Sequence, residues 1–237
     1  MKNNLKISGI QKTSLIDYPD YIATVLFTQG CNMDCPYCHN PELIPLENEN
    51  EYMNPEYFWE YLEKRKGLID GIAITGGEPL IQDSIYDFIK EIKGYDLLVK
   101  LDTNGTNFNL LKKIVAENLI DYVAMDIKGP LDEYEKYCGT KLSEYLIENI
   151  KKSKNLILNS DLDYEFRTTV VPGLHSKETI KKIADSIQGV KNYYLQNFRS
   201  EKVNSSKYEQ KRSFSEEELE EFVMLLQNKK IIAKIRN

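Results

Sequence analysis

The chain alternates short runs rich in Val, Ile, Tyr and Phe with longer stretches of helical periodicity. Repeated β/α alternation limits a chain to a mostly parallel sheet joined by right-handed crossovers. Strands are expected at residues 21–27, 71–75, 97–101, 122–127, 164–171 and 192–197. Helices are expected at 57–65, 82–92, 109–117, 141–152, 176–187 and 215–227, with Ser215 and Glu218 placed as a capping box. A polar loop covers about 199–213, and a short apolar run at 231–235 ends the chain. Six such units make an α/β fold. A curved partial barrel and an open doubly wound sheet both satisfy the pattern, and in either the working face lies at the carboxyl ends of the strands. The 237 residues contain no Pro/Gly/Ser-rich linker, which suits one large domain. Residues 1–200 are expected to form its body, with 201–237 as a loop, helix and short strand packed on it.

The unusual residues gather at those strand ends. The segments Cys31-Asn32-Met33-Asp34-Cys35-Pro36-Tyr37-Cys38, Gly76-Gly77-Glu78-Pro79, Asp102-Thr103-Asn104-Gly105 and Asp126-Ile127-Lys128 each follow an expected strand. Residues distant in sequence therefore converge on one mouth. No apolar leader follows Met1-Lys2-Asn3-Asn4, and no apolar run approaches a bilayer span, so a reducing cytoplasm is the expected compartment and no membrane partner is expected. Three of the four cysteines fall within eight residues, which in that compartment favours metal binding or redox chemistry over disulfides. A net charge of −6 with both signs interspersed argues against a nucleic-acid partner.

Four readings of the cysteine segment stand side by side. Cys35-Pro36-Tyr37-Cys38 has the form of a redox dithiol but leaves Cys31 unexplained. Cys35 to His39 matches the attachment pattern for haem c, a chemistry that goes with export. Cys31, Cys35, Cys38 and His39 supply four zinc ligands, though adjacent residues reach one tetrahedral ion only with strain. A cubane iron–sulfur cluster normally takes four thiolates. Three on one loop hold three corners and leave one iron open to a chelating ligand. Gly30 and Pro36 suit a chain wrapped tightly around a bulky inorganic core.

The spacing C-x₃-C-x₂-C, with Tyr37 before the last cysteine, resembles the signature of the radical S-adenosylmethionine superfamily, and Gly76-Gly77-Glu78-Pro79 resembles its second motif. The resemblance runs from about residue 5 to 200. It implies a partial (β/α)6 barrel with mostly parallel strands and a [4Fe–4S] cluster on Cys31, Cys35 and Cys38. The open iron would bind the amino and carboxylate groups of S-adenosylmethionine. Residues 8–20, Asp102 to Gly105, and Met125 to Lys128 resemble the glycyl radical enzyme activases. In that group the cluster passes one electron to the sulfonium, and the resulting 5′-deoxyadenosyl radical takes the Cα hydrogen of a glycine in a large partner enzyme. No catalytic side chain is implied beyond cluster and cofactor. Residues 41–70 hold no cysteine, so a ferredoxin-like insert is excluded. Ser14-Leu15-Ile16-Asp17-Tyr18-Pro19 and Leu195-Gln196-Asn197-Phe198 look most like anaerobic ribonucleoside-triphosphate reductase activating proteins, with pyruvate formate-lyase activases as nearest neighbours. A low-potential donor such as flavodoxin or ferredoxin is the implied electron source.

The same resemblance distributes roles. Tyr37, Gly76, Gly77, Glu78 and Asn104 are expected at the cofactor, with Glu78 at the methionine ammonium or, alternatively, capping the next helix. Lys128 would meet the cofactor carboxylate. Asp102, Thr103 and Asp126 would line a monovalent cation site beside it. A plain turn at Asp102–Gly105 and a surface ion pair between Asp126 and Lys128 are the simpler alternatives. Arg167 alternates with apolar neighbours, so it faces the cofactor or a structural carboxylate. His175 contacts the cofactor or begins the helix at 176. His39 is expected behind the cluster loop, Gln196 facing the site, and Cys138 as an unremarkable small residue without a cluster role. A radical enzyme acting on a small molecule and a non-enzymatic iron–sulfur sensor are the remaining classes. The short tail after residue 197 opposes the first, and the convergent polar loops oppose the second.

Overall fold

Eight strands line up in chain order in one sheet of the computed structural model, which describes residues 5–47 and 52–236. Residues 1–4, read above for a leader, lie outside the described residues. The chain runs β1 (Ile7–Ser14), β2 (Ala23–Thr28), α1 (Pro55–Arg65), β3 (Gly71–Gly76), α2 (Ile85–Lys93), β4 (Leu98–Thr103), α3 (Phe108–Ala116), β5 (Tyr122–Asp126), α4 (Tyr134–Cys138), α5 (Glu144–Leu158), β6 (Asp163–Val170), α6 (Lys177–Ser186), β7 (Tyr193–Asn197), α7 (Glu216–Gln227) and β8 (Ala233–Arg236). β1 pairs antiparallel with β2, and every later neighbour is parallel. A doubly wound sheet reverses strand order at a switch point. The unbroken order β1 to β8 has no such reversal, so the architecture is the partial barrel, with β1 and β8 as its two edges.

The strands are built for two different environments. β2, β3, β4 and β5 are nearly continuously buried, as parallel strands covered on both faces must be. Their outward side chains, such as Ile72, Ile74, Val99, Leu101 and Val123, sit with Phe58, Phe88 and Ile114 of the helices in the main core. β6 and β7 alternate instead. Phe166, Thr168 and Val170 are buried, while Arg167 and Thr169 between them are only partly so, the Arg167 side chain being 11 % exposed. Period-two geometry places this second set on the opposite face, toward the barrel interior.

Local sequence explains the helix starts. Asn54 caps α1 by accepting from Glu56 N at 3.0 Å, with Pro55 at the first helical position. α7 opens with the expected capping box of Ser215 and Glu218. Three elements differ from the sequence expectation. β1 was not expected, because bulges between Ile7 and Gly9 and between Gln11 and Ser14 break its alternation. α5 begins and ends later than residues 141–152, since its polar stretch conceals Ile150 and Ile157 on the buried side. α4 is a single short turn of helix. We take residues 201–237 as part of the barrel domain, because β8 extends the sheet beside β7 and Lys177 of α6 pairs with Glu221 of α7 at 2.9 Å.

Candidate active site at the carboxyl ends of the strands

The loop after β2 carries the three cysteines and is tied down at both ends. Gly30 N and Cys31 N donate to Leu43 O and Ile44 O at 2.8 and 2.9 Å. Asp34 N donates to Cys138 O at 3.0 Å and to Thr140 Oγ1 at 2.9 Å. Asn204 N reaches Cys38 O at 3.1 Å, Ser205 N reaches Pro36 O at 2.9 Å, and Asn204 Nδ2 reaches Asp34 Oδ1 at 2.7 Å. The polar loop of the C-terminal tail is therefore a clamp on the cysteine loop. Nothing in its composition marked it as one.

The loop after β3 is seated on the base of the cysteine loop. Gly77 N donates to Thr28 O at 3.0 Å and Glu78 N to Gly30 O at 2.8 Å. A Cβ on Gly77 would fall 2.0 Å from Gly30 O, and Gly76 has φ +116°. Both glycines are needed for this approach of two backbones.

Glu78 is almost wholly buried and ties this loop to the one after β4. Its Oε1 accepts from Thr103 Oγ1 at 2.8 Å and Leu80 N at 3.2 Å, and its Oε2 from Asn104 N at 2.6 Å. Burial pushes its carboxyl up to about 7, with those three hydrogen bonds working the other way. Asn104 Nδ2 in turn donates to Asn32 Oδ1 at 2.8 Å, between the first two cysteines. Three motifs remote in sequence are one hydrogen-bonded unit.

Asp102, Asp126, Lys128 and Arg167 form the charged wall. Lys100 Nζ lies 2.5 Å from Asp102 Oδ1 and Arg167 Nη1 3.2 Å from Asp102 Oδ2. Arg167 Nε is 2.9 Å from Asp126 Oδ1, and Lys128 Nζ 3.0 Å from Asp126 Oδ2. Burial alone would raise both carboxylates. The Arg167 charge, with Lys100 at Asp102 and Lys128 at Asp126, outweighs it and holds both below their usual range. Lys128 stays protonated against burial because the ionised Asp126 faces it.

These groups enclose one cavity of about 260 Å³, walled among others by Cys31, Cys35, Cys38, Tyr37, Gly76, Gly77, Glu78, Asp102, Thr103, Asn104, Asp126, Lys128 and Arg167. His39 and Gln196 also reach it. His175 does not line it. Its Nδ1 accepts from Val171 N at 3.1 Å, so its Nε2 carries the hydrogen that goes to Lys128 O at 3.0 Å. The ring thus holds the turn before α6 against the Lys128 backbone. Cys138 is likewise outside the cavity, its thiol donating to Thr140 O at 3.2 Å. Sequence reading did not single out Lys100 or Thr169. The spacing Lys100-Leu101-Asp102 on a strand puts both charged residues on one face, a signal that was present.

The wall fits an iron–sulfur cluster with a chelating cofactor. Among the described residues no three His, Cys, Asp or Glu side chains converge on a point one ion could occupy, as zinc would need. His39 is turned to Arg199 O at 2.9 Å and stacks on Phe198. The three thiols instead share the wall of a larger space with Lys128. Burial pushes the Cys31 thiol up to about 11 and Cys35 to about 12, and raises Cys38. Such thiols become thiolates when metal supplies the compensating charge. Tyr37 Oη, buried in the same wall, has no hydrogen-bond partner among the described residues, which leaves it available to a bound group.

The profile of the radical SAM superfamily matches residues 25–188. A Methanocaldococcus jannaschii protein assigned as a glycyl-radical enzyme activating enzyme is 34 % identical over 219 residues, 91 % of this chain and 89 % of that one. The pyruvate formate-lyase-activating enzyme of Clostridium pasteurianum is 30 % identical over 195 residues, covering 79 % of this chain and 78 % of the relative. Among solved structures, TYW1 with a lysine–pyruvate adduct bound superposes with a TM-score of 0.63 at 15 % identity, over 87 % of this chain and 73 % of TYW1, a likeness of fold. The chain belongs to the radical SAM superfamily and, within it, to the glycyl-radical enzyme activating enzymes.

Proposed function

We propose that the glycyl radical enzyme activated by this chain is anaerobic ribonucleoside-triphosphate reductase. The observation that carries the radical chemistry is the single cavity shared by Cys31, Cys35, Cys38, Glu78 and Lys128. In this reading the three cysteines hold three irons of a [4Fe–4S] cluster. Lys128 meets the carboxylate of S-adenosylmethionine and the Gly76–Glu78 segment meets its ammonium group. When bound, the cluster supplies the electron that splits S-adenosylmethionine into methionine and a 5′-deoxyadenosyl radical. The chain's own work is to fix the cofactor against the cysteine loop and to keep water from it. A one-electron donor of the flavodoxin or ferredoxin class, in a reducing cytoplasm, completes the reading. Among the described residues no helix is long and apolar enough to cross a membrane.

The choice of partner rests on residues 14–19 and 195–198. They meet at a second cavity of about 600 Å³ that shares His39, Arg167, Thr169 and Gln196 with the first and opens past Ile16, Asp17 and Pro19. Ile16 is 83 % exposed at this opening, and in this reading it is the way in for a glycine-bearing segment. The Clostridium pasteurianum likeness supports the second reading, in which pyruvate formate-lyase is the partner. The test is to mix the reduced, reconstituted protein and S-adenosylmethionine with each enzyme under anaerobic conditions and record electron paramagnetic resonance spectra. A glycyl radical doublet on the reductase supports the proposal. A doublet on pyruvate formate-lyase alone transfers the assignment to the second reading.

A further inference from the structure

The resemblance described above implies a monovalent cation between Asp102, Thr103 and Asp126. The side chains present do not fit one. All four carboxylate oxygens already face cationic nitrogens: Lys100 Nζ and Arg167 Nη1 at Asp102, at 2.5 and 3.2 Å, and Arg167 Nε and Lys128 Nζ at Asp126, at 2.9 and 3.0 Å. Thr103 Oγ1 donates to Glu78 Oε1 at 2.8 Å and accepts from Gly105 N at 3.0 Å. With every oxygen of Asp102 and Asp126 already taken by a positive group, another cation would have to displace a guanidinium or ammonium group already in place.

We propose that the Arg167 guanidinium is the resident counter-cation of this site. It bridges Asp102 and Asp126 where a free sodium or potassium ion would sit, so the protein binds its cofactor without a monovalent cation. The inference rests on the reading of the cavity as the S-adenosylmethionine site. The fold supplies the bridge through its registry. Arg167 of β6 stands directly beside Asp126 of β5. Lys100 and Asp102 are alternate residues of β4, with side chains only 3 % and 15 % exposed. An arginine keeps its charge at any working pH and presents Nε and Nη in one plane, which suits a bridge between two carboxylates. Behind it, wholly buried Glu165 lies 3.7 Å from Arg167 Nη1 and is itself held at 2.7 Å by Arg236 Nη2, which fixes the guanidinium from a second side. Being part of the chain, this cation needs no recruitment from solution. Arg167 is thus a positioning residue, keeping the two carboxylates and through Asp126 the Lys128 ammonium in place.

Two measurements test this. The first is the affinity of the reconstituted protein for S-adenosylmethionine in potassium, sodium and tetramethylammonium salts at one ionic strength. The wild type is expected to change by less than about twofold among them, whereas Arg167→Gln loses about tenfold or more in tetramethylammonium, recovers in potassium, and is spared by Arg167→Lys. A wild type that itself weakens about tenfold without sodium or potassium overturns the proposal. The second is a thallium(I) soak of wild-type crystals read by anomalous scattering, which needs neither cofactor nor a folded variant. No thallium between Asp102 and Asp126 is expected, and thallium bound there overturns the proposal. If the protein binds no S-adenosylmethionine in any salt, the cofactor reading fails, and the thallium result still decides what Arg167 does.

Discussion

Glu78 shows how one buried side chain sets a pH response. Its folded value, about 7, is above the ordinary 4.5, so between those values the folded chain holds more protons than the unfolded one. Stability therefore falls as pH rises through that window. His175 does the reverse. Burial lowers it to about 4 from 6.5, so the unfolded chain holds more protons between those values and stability rises with pH. Each limb is worth roughly 3 kcal/mol, so they nearly cancel in the wild type. Glu78→Gln removes the falling limb, and melting temperatures measured from about pH 5 to 7 are expected to climb for it and stay nearly level for the wild type. A level profile for the variant contradicts the burial argument. The sequence offered Glu78 as a cap or as an ammonium ligand. The capping bond to Leu80 N is present, but its ties to Thr103 and Asn104 join loops twenty-five and twenty-six residues away, and no local pattern encodes such partners. Arg167 was legible as an inward charge needing a carboxylate because strand alternation alone gives its direction. Which carboxylates it meets depends on the register of β5 and β6.

At the scale of elements, the strand-end loops form a single assembly because backbones touch. Gly77→Ala puts a Cβ against the Gly30 carbonyl, a backbone atom that leads directly into Cys31. A loss of more than about 2 kcal/mol in urea unfolding and poor iron incorporation are expected. Gly9→Ala, whose Cβ meets none of the described residues within 4 Å, is the control and should behave like wild type. The β/α alternation was readable from periodicity because the core-facing positions are strongly apolar. β1 was not, since its bulges and its exposed middle residues hide the period. The clamp from Asn204 and Ser205 was equally hidden, because two of its hydrogen bonds are made by backbone groups that any polar loop carries, and the Asn204 side chain finds Asp34 and the Cys35 carbonyl about 170 residues away.

Across the whole molecule, the last strand closes the charge network of the interior. Arg236 of β8 holds the fully buried Glu165 of β6 through two bonds of 2.7 Å. Arg236→Ala leaves that carboxylate with Arg167 at 3.7 Å and the Tyr122 hydroxyl at 3.1 Å, and about 3 kcal/mol of stability should be lost in denaturant titration. A variant within about 0.5 kcal/mol of wild type would show the tail to be dispensable to the barrel. In the proposed reading the three-cysteine cavity cleaves S-adenosylmethionine. The most direct test is anaerobic reconstitution with iron and sulfide, reduction with S-adenosylmethionine present, and measurement of 5′-deoxyadenosine for wild type and Cys35→Ala. Product from the wild type and none from the variant is the predicted result. A cluster-loaded wild type that yields no 5′-deoxyadenosine, or equal product from both proteins, contradicts the claim.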